Sequence, residues 1–112
     1  MGKKKSKYVL TVAQTLLATH LAEIGIATIP EFQFWKDRRF RFDLYAPLLW
    51  GGTGFEVNGH FNGIHGRGWS GDAEKANLAQ MMGMRVLVFT NRQVMNGEAI
   101  AFVKEWIGKE RA

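Results

Sequence analysis

Apolar positions change their period several times along the chain, and the changes mark out its elements. Leu10, Ala13, Leu17, Leu21 and Ile24 recur at three- and four-residue spacing, which predicts a helix over 10–24 that Gly25 stops. Ile29-Pro30 breaks that pattern. Over 31–35 and 40–45 the apolar residues alternate instead, Phe32 with Phe34 and then Phe40, Phe42 and Leu44. This is strand period, and the short charged connection Lys36-Asp37-Arg38-Arg39 predicts a hairpin that Pro47 ends. Leu48-Leu49-Trp50 and the glycines at 51, 52 and 54 predict a turn into a third strand over 55–58.

A loop over 59–71 follows, with glycines at 59, 63, 66, 68 and 71. Asp72 is the expected N-cap of a helix over 73–82, and Gly83 its stop. Residues 85–90 (Arg-Val-Leu-Val-Phe-Thr) make a nearly unbroken apolar run, the pattern of an interior strand. Gly97 precedes a last helix over 98–107, with Ile100, Val103, Trp106 and Ile107 as its core stripe. Met81, Met82 and Met84 read as gap-filling core. The order α-β-β-β-α-β-α, without repeats or an internal linker, predicts an α/β fold: a mixed β-sheet of about four strands flanked by helices.

The 112 residues suit one domain, and 46% apolar content is enough to bury a core. We expect a basic flexible tail over 1–8 and the folded domain over 9–112. The absence of cysteine excludes a disulfide scaffold, a Cys-based zinc site and a thiol nucleophile. No apolar run approaches the length of a membrane helix and no signal-peptide core follows the basic start, so a cytoplasmic protein is expected, in a bacterial or phage-infected cell. Met1-Gly2-Lys3-Lys4-Lys5-Ser6 also fits an acylation pattern with a polybasic companion, which would attach a basic protein to a membrane surface.

The net charge of +5 is uneven. Lys3, Lys4, Lys5 and Lys7 crowd the start; Lys36, Arg38, Arg39 and Arg41 form a second cluster against Asp37. Two separated basic clusters suit a phosphate backbone as readily as they suit a solubilising surface. Strand alternation adds the chemistry. If Phe40, Phe42 and Leu44 face the core, Arg39, Arg41 and Asp43 share the other face; in the next strand Glu56 and Asn58 oppose Phe55 and Val57. Two carboxylates, Asp43 and Glu56, then lie on neighbouring strands, where they repel unless a cation sits between them. Carboxylates, a backbone carbonyl and waters are hard oxygen ligands that suit Mg²⁺ or Mn²⁺, an ion able to polarise a phosphoryl oxygen.

The segments Arg39-Phe40-Arg41-Phe42-Asp43, Phe55-Glu56-Val57-Asn58-Gly59-His60, Asp72-Ala73-Glu74-Lys75-Ala76-Asn77 and Gly83-Met84-Arg85-Val86-Leu87-Val88-Phe89-Thr90 occur in that order. Together they resemble the PD-(D/E)xK nuclease superfamily. They look most like its small phage and bacterial endonuclease domains, akin to the VRR-NUC and very-short-patch-repair groups; Holliday-junction resolvases share the superfamily. The resemblance spans roughly residues 10–107. It implies a restriction-endonuclease-like sheet, with Asp43 and Glu56 as metal ligands aided by the Val57 carbonyl.

Asn58 stands where the parent motif has lysine. Glu74-Lys75 matches the acid–lysine pair that related small nucleases carry on the following helix, so the resemblance implies Lys75 as a migrated motif lysine; the other reading is an exposed lysine paired with Asp72. The first-helix acid of much of the superfamily has no clear match: Gln14 lies near its place, and Glu23 is the nearest carboxylate.

Arg67 suits bidentate phosphate contact, and His60 and His65 suit either proton transfer or phosphate binding. Lys36, Arg39 and Arg41 complete the expected nucleic-acid contacts. Trp35, Trp50 and Trp69 in or beside turns suit base stacking or core packing alike. The sequence therefore predicts a Mg²⁺- or Mn²⁺-dependent DNA endonuclease acting on branched DNA, such as a Holliday junction, as a homodimer. The alternative is a catalytically silent nucleic-acid-binding module on the same fold.

Overall fold

Thr11 opens the first helix, α1 (Val12–Glu23), with a reciprocal cap. Its hydroxyl accepts from the Gln14 N–H, and the Gln14 side chain accepts from the Thr11 N–H. Both amides are satisfied there, so the helix starts after Thr11 rather than at Leu10. This is a computed structural model describing residues 10–35, 40–58 and 69–111, with side chains over 73–110 in the last stretch. The basic tail, Lys36, Arg38, Arg39, His60, His65 and Arg67 lie outside the described residues.

The strands are β1 (Ile29–Trp35), β2 (Phe40–Ala46), β3 (Thr53–Asn58) and β4 (Arg85–Thr90). They form one four-stranded mixed sheet in the order β1-β2-β3-β4. The first two neighbour pairs are antiparallel and the β3–β4 pair is parallel. The remaining helices are α2 (Trp69–Met81), α3 (Asn91–Met95) and α4 (Glu98–Arg111). The predicted α/β architecture and element order therefore hold, with α3 as an addition. Thr90 caps α3 by the same reciprocal device with Gln93, which converts the end of β4 directly into a helix.

Each face of the sheet has its own apolar cluster. On one, Leu44, Phe55, Val57 and Phe89 pack with Ala13, Leu17 and Leu21 of α1, Val94 of α3, and Ala99 and Val103 of α4. On the other, Phe34 and Phe42 pack with Ala79 of α2, flanked by Phe32, Phe40, Tyr45 and Val86. Phe42 stacks on Phe34 with ring centroids 4.5 Å apart. Gly54 makes room for this cluster, because a Cβ there would overlap the Phe42 ring.

Two-sided burial corrects several expectations. Phe42 and Leu44 do not share a face: they belong to opposite clusters, so the alternation of β2 breaks at Asp43. β4 is an edge strand, not an interior one; its apolar run reflects two covered faces, with Leu87 and Phe89 on one and Val86 on the other. α2 begins at Trp69, so Asp72 lies inside the helix instead of capping it, and Trp69 is helical.

Met81 and Met82, where α2 ends, are 84% and 42% exposed, and only Met84 packs into a cluster. Trp106 is 44% exposed because Ala99 and Val103 define the buried stripe of α4, leaving Trp106 on its flank against Phe102. Trp35 and Trp50 are half-buried against the core clusters, the core-packing alternative.

Candidate active site

β2 and β3 pair through Leu44↔Phe55, Tyr45↔Gly54 and Ala46↔Thr53 and no further. One step beyond, the same register sets Asp43 opposite Glu56, at the point where the two strands stop pairing. The Val57 N–H therefore has no β2 carbonyl in the ladder to meet. It donates instead to Asp43 Oδ2 at 2.8 Å. This bond ties the Asp43 carboxylate to β3, beside the residue that follows Glu56.

Lys75 reaches the same place from α2. It shares a helix stripe with buried Ala79, which turns it toward the sheet. Its Nζ lies 2.6 Å from Glu56 Oε2 and donates to the Arg41 carbonyl at 2.8 Å. The ammonium also stands 5.9 Å from the Phe42 ring centroid. Lysine and glutamate side chains are 17% and 18% exposed, so this pair is far from the solvated surface pair expected of the Asp72 reading. Glu74, its chain neighbour, is exposed.

Glu56, Asn58 and Lys75 line one pocket with Phe42, Ala76, Val86 and Val88. Val88 is the direct β4 partner of Glu56 in the parallel register, as Thr90 is of Asn58.

A residue that sequence reasoning missed is Glu31. The pairs Pro30↔Leu44 and Phe32↔Phe42 place it across from Asp43. It adopts φ +52°, the left-handed region that costs a residue with a Cβ about 1–2 kcal/mol. Burial raises its carboxyl pKa, Asp43 raises it further, and the Arg41 and Lys75 cations work against both. Only the Pro30-Glu31 dipeptide in an edge strand hinted at an irregularity.

Gln14, by contrast, spends its side chain on the α1 cap and is 8% exposed. Among the described residues no three His, Cys, Asp or Glu side chains converge closely enough to cage an ion. What the site offers is two carboxylates on separating strands, a nearby carbonyl and one ammonium. Such a set can hold a cation with several waters and present a positive charge to an anion.

No known protein family matches the chain, and no curated protein does. Among solved structures, the catalytic domain of the homing endonuclease I-Bth0305I is similar, with a TM-score of 0.63 over 88% of this chain and 92% of that one. The two are 20% identical, so what they share is the fold: a four-stranded mixed sheet flanked by helices.

Proposed function

We propose that the chain is a divalent-metal-dependent endodeoxyribonuclease of the PD-(D/E)xK kind. The observation that carries this reading is the meeting of Asp43, Glu56 and Lys75 where β2 and β3 part, on a fold shared with an endonuclease catalytic domain. The donor set fits Mg²⁺ or Mn²⁺. Glu56 already accepts a cation, the Lys75 ammonium, at 2.6 Å; two carboxylates and the Val57 carbonyl leave the remaining positions to water, as Mg²⁺ prefers. When bound, the ion supplies charge neutralisation and Lewis-acid polarisation of a phosphoryl oxygen.

The chain's own residues do the rest. Asp43 is oriented by the Val57 amide, and Glu56 by Lys75. Lys75 can release Glu56 and place its ammonium on the charge that develops at phosphorus. Arg41, joined to Gln33 at 3.3 Å on the neighbouring strand, lies beside the site and is suited to a backbone phosphate. Asn58 takes the place of the motif lysine as a neutral group in the pocket.

Branched DNA is the substrate we favour, because a sheet of this size offers little surface for reading a long base sequence. Cutting both arms of a branch calls for a homodimer. The test is cleavage of a four-way junction and its matched linear duplex with Mg²⁺, Mn²⁺ or EDTA, beside Glu56→Ala. Metal-dependent junction cutting that the variant lacks supports the whole reading. Equal cutting of both DNAs removes the branch preference, and tight salt-sensitive binding without cutting transfers the case to the silent binding module.

A further inference from the structure

The sheet ends in two edge strands built differently. β1 is blunted: Pro30 has no N–H, Glu31 is left-handed at φ +52°, and the register with β2 shifts between Gln33 and Trp35. β4 carries none of these devices. It pairs with β3 in an unbroken parallel register from Arg85 to Thr90. Among the described residues no strand lies on its other side.

One bond fixes which backbone groups of β4 face outward. The Arg85 N–H donates to the Gly52 carbonyl at 2.9 Å, so Arg85, Leu87 and Phe89 aim their amides at β3. Val86, Val88 and Thr90 then aim theirs away from it. The Thr90 N–H is taken by Gln93 Oε1 in the α3 cap at 3.0 Å. The N–H and C=O groups of Val86 and Val88 are left, and no described residue bonds them on that side.

α4 flanks this edge. Phe102 meets Phe89 edge-on at 5.8 Å and Glu110 meets Arg85 at 3.8 Å, so α4 runs antiparallel beside β4. Phe102 and Trp106, 40% and 44% exposed, make an apolar flank on one face of the strand; Val88, 55% exposed, makes one on the other. The neighbouring charges are balanced, Glu105 with Lys109 and Glu110 with Arg85, although the chain carries +5. A balanced apolar edge suits protein better than a phosphate backbone.

We propose that β4 is the strand through which two copies of this chain pair, antiparallel about a twofold axis at Leu87. In that register Val86 of each copy opposes Val88 of the other, and every outward group of these residues finds a partner. Centring on Val88 instead would oppose Val86 to Thr90, whose amide is already bonded. A second copy also answers the α4 flank. The axis brings the two Trp106 rings together, and the antiparallel run turns Lys109 of each copy toward Glu105 of the other. The axis stands normal to the sheet, so both pockets open on one face of a continuous sheet. The two β3 strands then lie three strand spacings, about 14 Å, apart. The blunted β1 edges stop growth at two copies. This names the contact of the homodimer proposed above, and the use of paired sites rests on that reading; the pairing itself needs no DNA.

The test follows the whole chain, without DNA or metal, through a dilution series by light scattering and by hydrogen exchange of single amides. The mass of two chains is expected at the concentrated end. There the Val86 and Val88 amides should exchange at least about tenfold more slowly than at the dilute end, while Leu87 and Phe89 change little. Trp106→Glu alters an exposed side chain, and Val88→Pro deletes an outward N–H without touching the ladder to β3. Both variants are expected to give the mass of one chain, with circular dichroism like that of wild type. A monomer at every concentration overturns the proposal. So does a dimer with Val86 and Val88 unprotected, a folded variant that stays dimeric, or a species larger than two chains. A protected dimer that cuts no DNA strikes the nuclease reading alone; metal-dependent cleavage by a monomer strikes the pairing and leaves the metal chemistry standing.

Discussion

Lys75 is the residue on which the site turns. Its ammonium bridges α2 to β3 through Glu56 and to β2 through the Arg41 carbonyl. Lys75→Met keeps most of the apolar stem and removes the charge. If the ammonium stabilises charge at phosphorus, this variant loses about 10²–10³-fold in kcat with little change in DNA affinity, the magnitude typical of one missing transition-state donor. Single-turnover cleavage measures it; an unchanged rate would return Lys75 to a purely structural role.

Glu31 makes the opposite kind of prediction. Its carboxyl holds its proton more tightly in the folded chain than in the unfolded one. Its stabilising contribution is therefore complete below the usual carboxylate range and is lost as pH rises through the raised folded value. Glu31→Gln, uncharged throughout, should melt above wild type at neutral pH without metal, and the two curves should converge in acid. A variant that melts lower at neutral pH would mean that the ionised carboxylate supports the fold.

At the scale of elements, the sequence revealed more of the order than of the faces. The helix period of Leu17 and Leu21, the strand period of Phe32 and Phe34, and the apolar run at 85–90 all became elements of the expected type. Asp43, Glu56 and Lys75 were legible too, because segment order and helix stripe bring them to one side.

What failed was the assumption of a single buried face. A sheet covered by α2 on one side and by α1, α3 and α4 on the other needs apolar residues at both parities, so alternation in β2 could not say which side Leu44 takes. Glu31 was hidden for a related reason: its place depends on pairing with β2 and on a left-handed backbone, neither of which is written locally. Gly54 carries an element-scale prediction. Gly54→Ala forces the Phe42 ring from its stack on Phe34, and overpacking of this kind costs about 1–3 kcal/mol. Urea titration of the variant reads the loss, and a midpoint equal to wild type would mean that the Phe42 cluster yields without cost.

The whole molecule is a sheet with two differently used faces. One is closed by three helices and carries most of the buried residues. The other is covered by α2, and there the strand ladder opens between Asp43 and Glu56. No described helix is long and apolar enough to cross a membrane. Cutting a branch symmetrically requires two sites, so light scattering of the active protein should give twice the mass of one chain; activity from a monomer would count against the branched substrate. The central claim concerns the opening between β2 and β3, and metal-dependent cleavage tests it most directly. With Mg²⁺ or Mn²⁺ the wild type should cut DNA, with EDTA it should not, and Glu56→Ala should be inert while still binding DNA. Cleavage that survives both EDTA and the loss of Glu56 would contradict the account.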